Sequence, residues 1–96
     1  MSILVRYQPS GLTREQHDEV TRRLESNGAW PPDGLQLHVL FGSDGDLRIS
    51  EVWESEARLR AFQPQLLPVL TEVGVKLHSE PELFEVHVLE QPRTSA

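Results

Sequence analysis

The chain has 96 residues, no cysteine and a formal net charge of −6. So short a chain makes one domain, residues 1–96, whose modest core would gain from association. The acidic balance excludes nucleic acid and anionic membrane as partners, because both need a basic patch. The missing cysteines exclude disulfides and zinc–thiolate sites. No run approaches the ~20 apolar residues of a membrane span. The N-terminal "MSILVRYQPS" has no basic leader, so a cytoplasmic protein is expected.

"ILVRY" (3–7) is β-branched and aromatic, closed by Pro9 and Gly11, and reads as a first strand. A helix follows. Thr13 is its N-cap and Gln16 the capping-box partner three residues on. Val20 and Leu24 form the apolar stripe, His17 falls in line with them, and Gly28 ends the helix. "WPPDG" (30–34) is a rigid turn.

A hairpin comes next, its strands joined through "GSDGD" (42–46). Ser55 caps a second helix with the stripe Leu59, Phe62, Leu66, Leu70 and Val73. Pro64 and Pro68 fall inside that stripe, so the helix is expected to break or kink near Gln63. Gly74 ends it, "KLHSEPE" (76–82) is loop, and "LFEVHVLE" (83–90) alternates as a last strand. Residues 91–96 read as a frayed tail.

The order β-α-β-β-α-β is the ferredoxin-like α+β plan. Its antiparallel sheet takes the spatial order fourth–first–third–second, with both helices on one face. The other face must be wet or covered by a second subunit.

At "RISEVWESEARLRAF" (48–62) and the later "L-PVL-EVG" the chain resembles the dimeric α/β-barrel superfamily. That superfamily includes antibiotic-biosynthesis monooxygenases, polyketide cyclases and stress-responsive barrel proteins. Leu37-His38-Val39 is similar to the short second strand of small actinobacterial members. The resemblance covers residues 2–90. It implies a homodimer in which two helix-free sheet faces close into a barrel. It also implies that Trp53, matching the third-strand Trp of the cofactor-independent monooxygenases, lines the pocket. Their Asn four residues earlier is Ile49 here. Haem-degrading relatives carry an iron-ligating His on the second helix, and residues 56–73 contain none.

Strand parity supplies the expected site. If Leu35, Leu37 and Val39 meet the helices, Gln36, His38 and Leu40 point into the dimer cavity. Ile49 and Glu51 share the side of Trp53. In the last strand Phe84, Val86 and Val88 would meet the helices, leaving Glu85 and His87 inward. Arg6 joins the lining if it, rather than Tyr7, faces in. His38 and His87 lie on opposite edges, about 14 Å apart at three strand spacings, so they can meet only between subunits.

His38 is the candidate general base or acid, with Glu51 to orient it. Trp53, Gln36, Ile49, His87 and Arg6 are the candidate binding residues. No metal and no cofactor are expected. The blander readings are that the histidines are hydrogen-bonded interface residues, that Trp53 only packs, and that His17 replaces an aromatic at the helix–sheet contact. Two functions follow. One is a small cofactor-independent enzyme, of monooxygenase or cyclase type, on an aromatic or polyketide-like molecule. The other is a non-catalytic dimeric module that binds a small ligand or a protein.

Overall fold

The computed structural model describes residues 1–92. In chain order the elements are β1 (Ile3–Tyr7), β2 (Pro9–Ser10), α1 (Arg14–Ser26), β3 (Leu35–Ser43), β4 (Asp46–Trp53), α2 (Glu56–Val73), β5 (Lys76–Leu77) and β6 (Glu82–Glu85). Four strands form an antiparallel sheet in the order β3-β4-β1-β6. This is the ferredoxin-like α+β plan. Residues 76–77, expected in a loop, instead pair with Pro9–Ser10 in a separate two-stranded sheet. The last strand is shorter than expected, stopping at Glu85, although the Val86 amide still donates to the Ser2 carbonyl. Of the expected tail, residues 93–96 lie outside the described residues.

Local chemistry sets the helix ends. The Thr13 hydroxyl accepts from the Gln16 amide at 3.0 Å, and the Gln16 side chain accepts from the Thr13 amide at 3.1 Å. The capping box is therefore complete. Gly74, at φ 87°, ends α2 in the left-handed region, and its amide donates to the Leu70 and Thr71 carbonyls.

The expected break in α2 does not occur: the chain is helical from Glu56 to Val73, with both prolines inside. Pro64 and Pro68 are exposed. The carbonyls they leave without a donor belong to Arg60 and Pro64, both on the solvent side, where water can meet them. The opposite face buries Leu59, Phe62 and Val69 against the sheet.

The second correction is strand parity. In β3, Leu35 stands opposite Trp53, and Leu37 opposite the next residue of β4, Val52. One extra residue, Gln36, is a β-bulge, and it inverts the alternation. Leu35 meets the core as expected. Beyond the bulge, His38 faces the helices, opposite Glu51, and Leu40 stands opposite Ile49. Leu37, Val39 and Phe41 turn to the helix-free face and are 42%, 40% and 40% exposed.

The last strand is also reversed. Phe84 shares the helix-free face with Leu4 and Val52, whereas Leu83 packs on the core. In β1, Val5 and Tyr7 face the helices and are buried, so Arg6 turns away from them. The core is Val5, Tyr7, Val20, Leu24, Ala29, Trp53, Leu59, Phe62 and Val69, between the sheet and the two helices.

Candidate functional site

A cavity of about 60 Å³ lies inside the subunit, between sheet and helices. Apolar walls come from Leu12, Val20, Leu24, Ile49, Phe62 and Leu66, and Trp30 adds an aromatic one. Its polar groups are few: Tyr7, His17, Thr21, His38 and Glu51.

Three of these are linked in series. Glu51 is 4% exposed. Its Oε1 accepts from the Trp53 indole N–H at 3.0 Å, and its Oε2 lies 2.7 Å from His38 Nδ1. His38 Nε2 is 3.0 Å from His17 Nε2, and the ring planes lie 28° apart. His17 Nδ1 is 3.0 Å from Asp18 Oδ1 at the surface. Trp30 meets the His38 ring edge-on, with centroids 5.1 Å apart. The chain thus runs from a buried carboxylate on β4, across β3, to an exposed carboxylate on α1. Arg14 also donates to Asp18 at 3.1 Å. The hydrogen bond to His17 first, and that to Arg14 second, hold the Asp18 carboxyl below the usual carboxylate range.

Two features define what this arrangement can do. Both ring nitrogens of His38 already have partners, whereas each Glu51 oxygen accepts one bond and keeps spare capacity. The Tyr7 hydroxyl is buried and has no hydrogen-bond partner among the described residues. Burial, with the Glu51 charge second, pushes the Tyr7 phenol well above its ordinary value. It therefore stays protonated, a donor beside an acceptor at an apolar cavity.

His38, Glu51 and Trp53 share one face, and it is the helix-covered face; a pocket built from them on the opposite face falls with the parity. Ile49 lines the cavity. Trp53 is fully buried and does not line it; its indole holds Glu51, and its ring packs on Phe62 at 5.5 Å. Gln36 is outside, on the bulge, accepting from Ser2 Oγ at 2.9 Å. Arg6 is exposed on the helix-free side. His87 lies beyond β6 with its side chain 84% exposed, near only the Glu85 carboxylate at 4.0 Å.

Tyr7, His17 and Trp30 are the site residues that sequence reasoning missed. His17 did leave a signal, a histidine in register with the buried Val20 and Leu24. Trp30 was hidden inside a turn motif.

Neither protein-family models nor curated proteins match this chain. Solved structures do. SnoaB, a cofactor-independent oxygenase from Streptomyces nogalater, is 20% identical over 92% of this chain and 93% of its own, with a TM-score of 0.58. A monooxygenase from the gene ActVA-Orf6 of Streptomyces coelicolor, solved with nanaomycin D, is 17% identical over 96% and 91%, with a TM-score of 0.52. A conserved protein from Methanosarcina mazei is 18% identical over 88% and 89%, also at 0.52. At such identities the likeness is one of fold: the chain shares the ferredoxin-like α+β fold of these structures.

Proposed function

We propose that the protein is a small cofactor-independent enzyme, of monooxygenase or cyclase type, acting on an aromatic or polyketide-like molecule by proton transfer. The observation that carries this reading is the buried Glu51–His38 pair beside the unpartnered Tyr7 hydroxyl, at an apolar cavity. An activated phenol or β-dicarbonyl compound would lose its acidic proton to a free lone pair of Glu51. The O–H or C–H bond breaks and its electrons remain as phenolate or enolate. Tyr7 donates to the oxygen that gains charge, and His38 holds the carboxylate in place. Ile49, Phe62 and Trp30 would flank the ring. Dimerisation through the helix-free sheet face, as an α/β barrel in the cytoplasm, completes the proposal.

Deuterium exchange at the acidic carbon of a β-diketone, and oxygen uptake with dihydroxynaphthalenes, test it. Wild type should accelerate one of these over buffer, and Glu51→Gln should remove most of that acceleration. Wild-type rates equal to buffer with every probe would overturn the enzyme reading. They would favour a non-catalytic dimeric binding module. One observation supports that second reading: a cavity of about 60 Å³ is well below the roughly 300 Å³ at which ligand pockets begin.

A further inference from the structure

Hydrogen-bond accounting along the chain of side chains has a definite outcome. Three contacts join Glu51 to His38, His38 to His17, and His17 to Asp18, at 2.7, 3.0 and 3.0 Å. Each needs one proton. Carboxylates supply none when ionised, and a neutral imidazole supplies one. Two neutral histidines therefore fill only two of the three contacts, leaving either a ring lone pair facing a carboxylate oxygen or two Nε2 lone pairs facing each other. A third proton on the pair fills all three. A fourth would set two N–H groups against each other across the 3.0 Å His17–His38 contact.

Burial points the same way. Glu51 is 4% exposed, and of its two hydrogen-bond partners among the described residues, His38 and the Trp53 indole, only His38 can carry a positive charge. A buried carboxylate without a cation is costly.

We propose that His17 and His38 form an imidazole–imidazolium pair carrying one positive charge between two carboxylates, and that surface Asp18 holds that charge beside Glu51. His17 and Asp18 are then positioning residues, and the inference rests on the reading of Glu51 as the proton acceptor. His17 lies in the first turn of α1, where the helix dipole opposes a cation, so the shared proton resides mainly on His38. The titratable groups around the pair are Arg14 and Asp18 on α1, Glu51 on β4 and Tyr7 on β1. From α2 the cavity receives only Phe62, Leu66 and Leu70. The consequence is a Glu51 that faces a cation while its spare lone pairs remain at the apolar cavity.

Nitrogen-15 NMR of the imidazole rings at neutral pH counts the protons without any substrate, so its outcome is independent of turnover. Wild type should show three protonated nitrogens on the pair: both Nδ1 atoms fully, and one proton shared between the two Nε2 atoms. Asp18→Asn keeps an oxygen where Arg14 and His17 both donate but removes one of the two carboxylate charges that hold the imidazolium, so the count should fall to two. Glu51→Gln should also give two, with His38 Nδ1 bare, because the Trp53 N–H holds the amide oxygen and turns the amide N–H₂ toward His38. A bare Nδ1 or two bare Nε2 atoms in wild type, or three protons retained in Asp18→Asn, would overturn the proposal. Asp18 is exposed, so its variant decides the matter even if Glu51→Gln does not fold.

Discussion

His38 is held by its two nitrogens, and the way it is removed therefore matters. His38→Ala leaves Glu51 Oε2 buried without a donor, and should cost about 2–3 kcal/mol of stability. His38→Asn can place an amide N–H near the former Nδ1 and should recover at least half of that, while still breaking the link to His17. Urea unfolding of the two variants checks this; equal losses would mean that the Glu51 contact adds nothing. Tyr7 gives a second residue-scale test, because it is the chain's one tyrosine. Its folded-state pKa is raised above the unfolded 10.0, by burial first and Glu51 second. The stability it contributes is thus fully present below pH 10 and is lost as pH rises above that value. In an alkaline titration the phenolate absorbance should appear together with loss of circular dichroism, not before it. Tyr7→Phe should remove this alkaline loss and raise neutral-pH stability by up to about 1 kcal/mol, since it deletes an unpartnered buried hydroxyl. It should also weaken any turnover that needs a donor to the substrate oxygen.

Secondary structure was legible wherever one residue type has one physical use. Thr13 and Gln16 form a capping box, Gly28 and Gly74 end helices with φ of 72° and 87°, and the Asp44–Gly45 pair closes the β3–β4 hairpin. What misled was a competition between two signals in β3. Leu35, Leu37 and Val39 form one apolar face only where the alternation runs unbroken. A single extra residue, Gln36, inverts that alternation, and no residue type marks a bulge as glycine marks a helix end. The sheet is also apolar on both faces at this point, so hydrophobicity alone does not say which face meets the helices. Helix α2 misled for a related reason. Proline propensity describes an isolated helix, whereas this one is held by Leu59, Phe62 and Val69 against the sheet. The prolines should nevertheless be costly. Pro64→Ala restores a backbone donor on an exposed face and should raise stability by about 1–2 kcal/mol, after allowing for the freer unfolded chain. A melting temperature unchanged or lowered by that substitution would mean that Pro64 is already fully accommodated.

For the whole molecule, the inverted parity moves the apolar surface rather than removing it. The helix-free face now carries Leu37, Val39, Phe41 and Phe84, each at least 40% exposed, beside Leu4 and Val52. Large side chains clustered in this way on a small domain mark an interaction surface. The order of the sheet and the single helical layer were readable from the β-α-β-β-α-β pattern. The pocket was not readable, because it forms inside one subunit from residues on seven elements rather than between two sheets. The site and the exposed apolar face are therefore on opposite sides of the same sheet, which makes them separable by mutation. A second copy of the chain is the expected cover. The face has Arg6 and Arg48 on the same side as Glu82, so a two-fold axis can bring opposite charges together along with the apolar residues. Sedimentation across a dilution series should find a dimer at micromolar concentration. Val39→Glu or Phe84→Glu should shift it to monomer while leaving the Glu51–His38–His17 chain intact, as seen in an unchanged imidazole nitrogen spectrum. A wild-type monomer with native circular dichroism at those concentrations would reject the dimer without touching the site. A monomeric variant that loses the imidazole signature would instead show that the interior site depends on the face behind it.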